Sequence, residues 1–203
     1  MRENSIQIMD TSKSLAHQVR DGLFLAPSRT YGEQYLEPFV RAKYGLLEPE
    51  TGDHDAVGPD GHQYEIKACK VLRATENGKG SKSLLDRIIY ENGNLETNRL
   101  IPFSEHKTAE YLANVQNVKR DHFDTLIYVL LFEDCAKIFF ADSTAISKGI
   151  FANWSDKHGR YDELGKSGQF GITRATIQFH LDNQLRDTVS YEEMAKVFQN
   201  LSE

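Results

Sequence analysis

The feature that most constrains the fold is a nearly continuous apolar run over residues 125–132. A run this short and this apolar predicts a strand that is buried inside a sheet. Residues 133–135 predict a turn, and the apolar residues of 136–140 predict a second strand that returns beside the first. A pair of buried strands is therefore expected in the second half of the chain.

Two helices are predicted in the N-terminal part of the chain. The first covers residues 12–25, where leucine and valine recur every four residues. The second begins near Thr30. Thr30 and Glu33 fit a capping box, in which the glutamate bonds the backbone at the start of the helix. Pro38 is expected to kink this second helix or to mark a restart.

Three further elements complete the predicted order of helices and strands. Residues 107–118 are predicted to be helical, and residues 173–180 are predicted to form a strand with alternating apolar and polar side chains. The last helix begins after Ser190, which fits a capping box with Glu193. These elements together predict an α/β domain with a central mixed β-sheet flanked by helices.

Length and composition restrict the class of protein. A chain of 203 residues is long enough for one domain with a sizeable core, so a single domain over 1–203 is expected. The 39% hydrophobic and 27% charged residues favour a soluble globular protein. No long uncharged apolar run and no signal peptide is recognisable, which predicts no membrane partner. The two cysteines, Cys69 and Cys135, lie far apart and favour reduced thiols and a cytoplasmic location.

A second predicted hairpin carries residues that are suited to catalysis. The turn over 58–61 contains proline and glycine and separates two extended segments. Strand alternation puts Glu65 and Lys67 on one face, and pairing of the segments brings Asp55 towards Glu65. Two carboxylates and a carbonyl suit Mg²⁺, and a lysine beside them can stabilise charge that develops on a phosphate. The alternative is an ordinary hairpin with a surface Glu/Lys pair.

At these residues the chain resembles the PD-(D/E)xK nuclease superfamily and, within it, the type II restriction endonucleases. Asp55 matches the first acid of the motif, Glu65 the second acid and Lys67 the lysine. His54 stands where the motif has proline. Asp53 is a rival for the first acid, and Asp55 is preferred because it directly abuts the apolar residues of its strand.

The resemblance implies a restriction-endonuclease-like core and Mg²⁺-dependent hydrolysis of double-stranded DNA at a specific site, which leaves 5′-phosphate ends. Asp55 and Glu65 would ligate the metal together with the carbonyl of Ile66, and Lys67 would hold the attacking water. In some members a glutamate on the preceding helix helps to hold metal, which makes Glu33 a further catalytic candidate. No nucleotide cofactor is expected, because phosphate-loop and dinucleotide-binding glycine motifs are absent from the sequence.

The charge distribution bears on the DNA partner. The formal net charge is −6, yet residues 67–120 hold 10 basic and 6 acidic residues, and phosphate contacts need only a local positive surface. This third of the chain is therefore expected to build most of the DNA-binding cleft. Gln116 and Lys119 match a Gln/Asn-x-x-Lys segment that restriction endonucleases often carry, and they are candidates for contacts with the active site or the DNA backbone.

The expected assembly is a homodimer. One motif supplies one active site, whereas a duplex has two strands to cut, and a two-fold protein matches a palindromic site. Three alternatives remain open from the sequence. They are a structure-directed repair or recombination nuclease, a DNA-binding module without catalysis, and a protein-interaction domain without affinity for DNA.

Overall fold

The structure, a computed structural model, describes residues 13–50, 54–74, 96–147, 151–157 and 167–201. The helices are α1 Leu15–Leu25, a π-helix Thr30–Leu36, α2 Glu37–Tyr44, α3 Ile177–Asn183 and α4 Tyr191–Leu201. The strands are β1 Ala56–Val57, β2 Gln63–Lys70, β3 Ala113–Val118, β4 Thr125–Leu131, β5 Cys135–Asp142, β6 Trp154–Ser155, β7 Gly168–Ile172 and β8 Leu185–Ser190.

A five-stranded mixed sheet with the order β1-β2-β4-β5-β8 forms the centre of the fold. Strands β2 and β4 are parallel, with Lys67 opposite Tyr128, and the other neighbours in this sheet are antiparallel. A smaller antiparallel sheet has the order β3-β7-β6. The predicted α/β class, with a central mixed sheet and flanking helices, is confirmed.

Strand β4 is buried on both faces, as its apolar run predicts. The side chains of residues 126–131 all have 0% exposure. Leu126, Tyr128 and Leu130 point to a core that is shared with the smaller sheet and α3. The intervening residues point to a second core, which is shared with α1, α2 and α4. The returning strand is β5, so the predicted pair of buried strands is confirmed.

The helices on one side of the sheet are held by their ends as well as by their apolar faces. Ser190 N–H donates to Glu193 Oε2 at 2.9 Å, and Glu193 N–H donates to Ser190 Oγ at 3.2 Å, so the capping box predicted for the last helix is confirmed. Lys70 Nζ donates to the carbonyls of Phe24 and Ala26 at the end of α1. Within the described ranges, no helix has the length and apolar character needed to cross a membrane.

The helix predicted over 107–118 is wrong, because β3 and a series of turns occupy this segment. Val115 and Val118 are buried and lie three residues apart, which is a helix-like spacing. This spacing comes from a β-bulge. Val115 pairs with Phe170 and Val118 pairs with Gly168, so β3 has one more residue than β7 over this stretch.

The strand predicted over 173–180 is also wrong, because α3 occupies its second half. The carbonyl of Thr173 accepts a hydrogen bond from Ile177 N–H at 2.9 Å and so begins the helical turn. Ile177 and His180 are both buried at a helical spacing of three. Phe179 packs partly buried against the same core, which produced the strand-like alternation in the sequence.

The predicted capping box at Thr30 does not form, because no side chain caps the start of the π-helix. Glu33 Oε1 instead accepts a hydrogen bond from Arg29 Nε at 3.1 Å. Pro38 lies in the first turn of α2, which follows the π-helix directly, and the Glu37 N–H before it still donates to the Gly32 carbonyl. A kink or a restart was predicted at this proline; the helix instead changes from π to α there, and Leu36 and Glu37 keep helical dihedrals.

Candidate active site

The predicted hairpin at 54–70 is present and brings the motif residues together. Gly58 N–H donates to the carbonyl of His62 at 2.8 Å across the turn, and Gly61 has φ +84°, a backbone angle that suits glycine. Asp55 N–H then donates to the carbonyl of Tyr64 at 2.9 Å. This pairing fixes Asp55 beside β2, next to the position from which Glu65 projects.

A single ammonium group joins the three motif residues. Lys67 Nζ donates to Asp55 Oδ2 at 3.1 Å and to the Ile66 carbonyl at 3.3 Å, and it forms an ion pair with Glu65. Asp55 Oδ2 also accepts a hydrogen bond from Ile66 N–H at 2.8 Å. The backbone of β2 therefore orients the Asp55 carboxylate, and the lysine closes the space between the two acids.

Burial and the neighbouring opposite charge shift the pKa values of Glu65 and Lys67 in opposite directions. Burial raises the pKa of the Glu65 carboxyl, since the residue is only 7% exposed; the Lys67 ammonium opposes this effect, and the charge of Asp55 adds to it. For Lys67, burial alone would lower the pKa of the ammonium. The carboxylates of Glu65 and Asp55 outweigh that burial and raise the pKa, so Lys67 remains a cation at neutral pH.

The oxygen atoms around Lys67 Nζ have the chemistry of a Mg²⁺ site. Asp55, Glu65 and the Ile66 carbonyl are the three groups that the sequence predicts as metal ligands, and all three contact the same positive charge. Oxygen donors of this kind suit a hard divalent cation. Among the described residues, no three side chains of the His, Cys, Asp and Glu types form a group that could hold a metal ion. A metal would therefore use two carboxylates and a carbonyl, and it would compete with the ammonium for them.

These residues form the floor of an open cleft of about 670 Å³. Its walls come from three parts of the chain that are distant in sequence: the π-helix and α2, the hairpin, and the end of β3. Four carboxylates and three cations line it, namely Glu33, Glu37, Asp55, Glu65, Arg29, Lys67 and Lys119. The cleft is thus open to solvent and rich in acidic oxygen atoms.

Glu37 is the carboxylate of this cleft that sequence reasoning missed. Its side chain is 17% exposed, whereas that of Glu33 is 57% exposed and pairs with Arg29. Burial, and then the nearby charge of Asp55, raise the pKa of Glu37 to about 8. Glu33, the predicted catalytic candidate, lines the cleft nearer to solvent. The four-residue spacing between the two glutamates was the available signal, because it keeps both on one side of a helix.

Arg41 was also missed, and it ties α2 to the motif hairpin. Its Nη1 donates to the backbone carbonyl of Asp55 at 3.2 Å and lies 3.9 Å from Glu37 Oε2. One guanidinium group therefore holds both the hairpin and the buried glutamate.

Gln116 and Lys119, which the sequence suggested as contacts, both line the cleft. Both are exposed. The charge of Lys119 lowers the pKa of Glu65 slightly, in the direction opposite to the larger effect of burial. The structure therefore brings the Gln/Asn-x-x-Lys segment to the same cleft as the motif.

Residues 67–120 present less unpaired positive charge than their composition suggests. Three ion pairs neutralise basic residues of this stretch: Lys70 with Glu96, Arg73 with Glu105, and Arg120 with Asp156. Residues 75–95, which hold further basic side chains, lie outside the described residues, and so does Asp53, the rival first acid. The positively charged cleft remains a prediction.

The comparisons with known proteins add no identification. No protein-family model matches the chain, and no curated protein or solved structure is similar enough to count as a match. Function must therefore be inferred from the geometry of the cleft itself.

Proposed function

We propose that the protein is a Mg²⁺-dependent nuclease that hydrolyses phosphodiester bonds of double-stranded DNA. One observation carries this proposal. Asp55, Glu65 and the Ile66 carbonyl surround one positive charge on the floor of an open cleft, and the charge belongs to the lysine of the PD-(D/E)xK motif. A surface Glu/Lys pair on an ordinary hairpin would not require a second, partly buried acid directly before the neighbouring strand.

Each motif residue has a separate task in the proposed reaction. Asp55 and Glu65 hold the cation, and the Ile66 carbonyl completes the protein's share of the oxygen donors. Bound Mg²⁺ supplies positive charge to the phosphate and makes water easier to deprotonate. Lys67, which remains protonated, orients the attacking water and offsets the negative charge that builds up on the phosphate.

The bond changes follow from the resemblance to restriction endonucleases. The oxygen of a water molecule forms a bond to phosphorus while the bond from phosphorus to the 3′-oxygen breaks. The leaving 3′-oxygen takes up a proton, so the products carry a 5′-phosphate and a 3′-hydroxyl. Glu37 lies in the same cleft as an acid that resists ionisation, and a cation that stabilises its charged form would recruit it as a further ligand.

Cleavage at a specific site, as in a type II restriction endonuclease, is the finer form of the proposal. A homodimer on DNA belongs to it, with each subunit cutting one strand. Lys119 at the cleft and Arg29 on the opposite wall are the described cations, apart from Lys67, that can meet the phosphates of the substrate.

Incubation with supercoiled plasmid and with long genomic DNA, each with and without Mg²⁺, tests the proposal. Discrete fragments indicate a restriction enzyme, whereas nicking or smearing indicates a structure-directed or nonspecific nuclease. DNA binding without cleavage, whichever divalent cation is added, indicates a DNA-binding module. Absence of both binding and cleavage would refute the proposal.

Paired variants locate the active site in the same experiment. Asp55→Ala should abolish cleavage, because it removes an oxygen ligand and a hydrogen-bond acceptor for Lys67. Asp53→Ala is the matched control and should retain most activity. The reverse ranking would move the first acid of the motif to Asp53. Ca²⁺ should support DNA binding without cleavage, because it accepts oxygen ligands in looser geometry than Mg²⁺ does.

A further inference from the structure

The bulge in β3 turns two consecutive side chains towards the cleft. In a regular strand, neighbouring side chains point to opposite faces. Here Val115 and Val118 are both buried, and the two residues between them, Gln116 and Asn117, are both exposed and both line the cleft beside Lys67. Bulges often lie next to active sites, where they redirect a side chain.

Asn117 adopts a backbone conformation that glycine would adopt more easily. Its φ is +55°, in the left-handed region that is uncommon for residues with a side chain. The other such residue in the described chain, Asn153 with φ +58°, uses its side chain structurally, because its Nδ2 donates to the Gly171 carbonyl at 3.2 Å. The side chain of Asn117 has no hydrogen-bond partner in the described part of the chain.

We propose that Asn117 is a substrate-binding residue, whose side-chain amide donates a hydrogen bond to a phosphate oxygen of the DNA strand in the cleft. This inference rests on the proposed nuclease function. The unusual backbone angle holds an exposed amide over the same cleft whose floor carries Asp55, Glu65 and Lys67. Strained positions of this kind are a reason to look for function.

The position in the cleft favours a phosphate over a base edge as the partner. The acids on the floor act on the sugar-phosphate backbone, so the segment of substrate nearest to them is backbone. An amide N–H donates to a phosphate oxygen without adding positive charge. A lysine or arginine here would instead compete with Mg²⁺ for Asp55 and Glu65.

Two substitutions at Asn117 separate its side chain from its backbone conformation. Asn117→Gly removes the amide and tolerates the positive φ, so the protein should keep its melting temperature. Asn117→Asp keeps the shape and the tolerance of this φ but places a carboxylate against the phosphate. We expect Asn117→Gly to weaken DNA binding in Ca²⁺ about tenfold and Asn117→Asp to weaken it more, with Mg²⁺ binding to the DNA-free protein unchanged for the glycine variant.

The salt dependence of binding separates the loss of a neutral contact from the loss of a charged one, while the melting temperature tests for a merely structural role. Asn117 is neutral, so Asn117→Gly should lower affinity by the same factor at every salt concentration. Lys119→Gln is the matched control two residues away. If Lys119 contacts a phosphate, its loss should reduce the slope of log affinity against log salt by about one. Asn153→Gly controls for relief of a left-handed angle elsewhere and should leave DNA binding at the wild-type level.

The outcomes distinguish this inference from the proposed function. If the wild-type protein cleaves DNA and both Asn117 variants bind and cleave at the wild-type level, the inference is wrong and the nuclease function stands. Equal loss in Asn117→Gly and Asn153→Gly, with lowered melting temperatures, would also overturn it, because the effect would be structural. If the wild-type protein neither binds nor cleaves DNA, the proposed function fails and this inference fails with it.

Discussion

Lys67 Nζ lies 3.1 Å from Asp55 Oδ2, although the two residues belong to different halves of a hairpin and are twelve positions apart. The same nitrogen contacts Glu65 and the Ile66 carbonyl. The ammonium therefore offsets part of the negative charge of the two acids in the metal-free protein, and at the same time it contacts the oxygens that a divalent cation needs. A lysine in this position has two opposite effects, since it assists the reaction and weakens metal binding.

Lys67→Met should separate these two effects. Methionine keeps most of the apolar stem and removes the charge, so Mg²⁺ no longer competes with an ammonium for Asp55 and Glu65. We expect Mg²⁺ to bind the DNA-free variant about tenfold more tightly, and we expect plasmid cleavage to fall by a factor of about 100 or more. Calorimetric titration with Mg²⁺ measures the first effect, and the rate of plasmid cleavage measures the second.

Lys119→Met is the matched control for this prediction, because it removes the same charge at the rim of the cleft without a hydrogen bond to the acids. If the affinity for Mg²⁺ rises by the same factor in both variants, the increase comes from the overall electrostatic potential of the cleft and not from the release of the Asp55 and Glu65 oxygen atoms. Cleavage at the wild-type rate in Lys67→Met would refute the assignment of the lysine.

The sequence predicted the parts of the site that depend on neighbouring residues. The turn over 58–61 fixes how two short segments pair, so the approach of Asp55 to Glu65 followed from strand alternation alone. The run over 125–132 predicted β4 because its burial on both faces leaves a continuous apolar pattern. In both cases the sequence pattern lies in the same turn or the same strand as the structure that it predicts.

The missed parts depend on contacts between distant segments. Glu37 is a functional candidate only because its helix packs against β2 and brings it near Asp55. The bulge at Asn117 exists because β3 pairs with β7, some fifty residues later, and it made a strand look helical. The local sequence offered the spacing of Glu33 and Glu37 and a misleading helix-like pattern at Asn117, but it does not show which distant segments these residues meet. Tertiary structure was needed for that.

Glu37→Gln should lower activity and raise stability together. The glutamine amide has nearly the same shape as the carboxyl group and carries no charge. In the wild-type protein, burial opposes ionisation of the Glu37 carboxyl and raises its pKa to about 8. Such a group costs stability once the pH exceeds its unfolded-state pKa of 4.5, so the variant should be more stable by about 1–3 kcal/mol at pH 7.5. Urea unfolding without metal measures this gain, and plasmid cleavage measures the expected loss of at least about tenfold.

Glu33→Gln serves as the comparison for Glu37, since it changes the same kind of side chain four residues earlier. Glu33 is exposed, and Arg29 is its one ion-pair partner among the described residues, so stability and cleavage should both change little. If Glu33→Gln instead loses more cleavage than Glu37→Gln, the residue predicted from the sequence is the functional glutamate after all.

His180 should make the stability of the fold depend on pH. The residue is 0% exposed, its Nδ1 shares a hydrogen bond of 2.8 Å with the Tyr128 hydroxyl, and its Nε2 has no partner among the described residues. Burial lowers the pKa of this imidazole from 6.5 to about 4. The unfolded chain therefore binds a proton more readily than the folded protein does, and acid favours unfolding.

The sign and the range of this effect can be measured by urea unfolding at several pH values. The free energy of unfolding is not reduced by His180 above pH 6.5. As the pH falls from 6.5 towards 4, protonation of this imidazole in the unfolded chain lowers the free energy of unfolding by a total of about 3 kcal/mol. His180→Gln keeps a hydrogen-bonding group for Tyr128 but does not titrate, so the difference in stability between wild type and variant should shrink or reverse over this range. A constant difference from pH 7 to pH 4 would contradict the prediction.

The last prediction concerns assembly on DNA. The described residues contain one motif, in one cleft, and a duplex has two strands to cut, so we expect two subunits to act together. Wild-type protein mixed with an excess of Lys67→Ala protein should form pairs that have one working active site. Such pairs should convert supercoiled plasmid into nicked circles, and gel electrophoresis measures the ratio of nicked to linear product. If linear product falls only in proportion to dilution of the wild-type protein, with no excess of nicked circles, each subunit acts alone and the dimer is refuted.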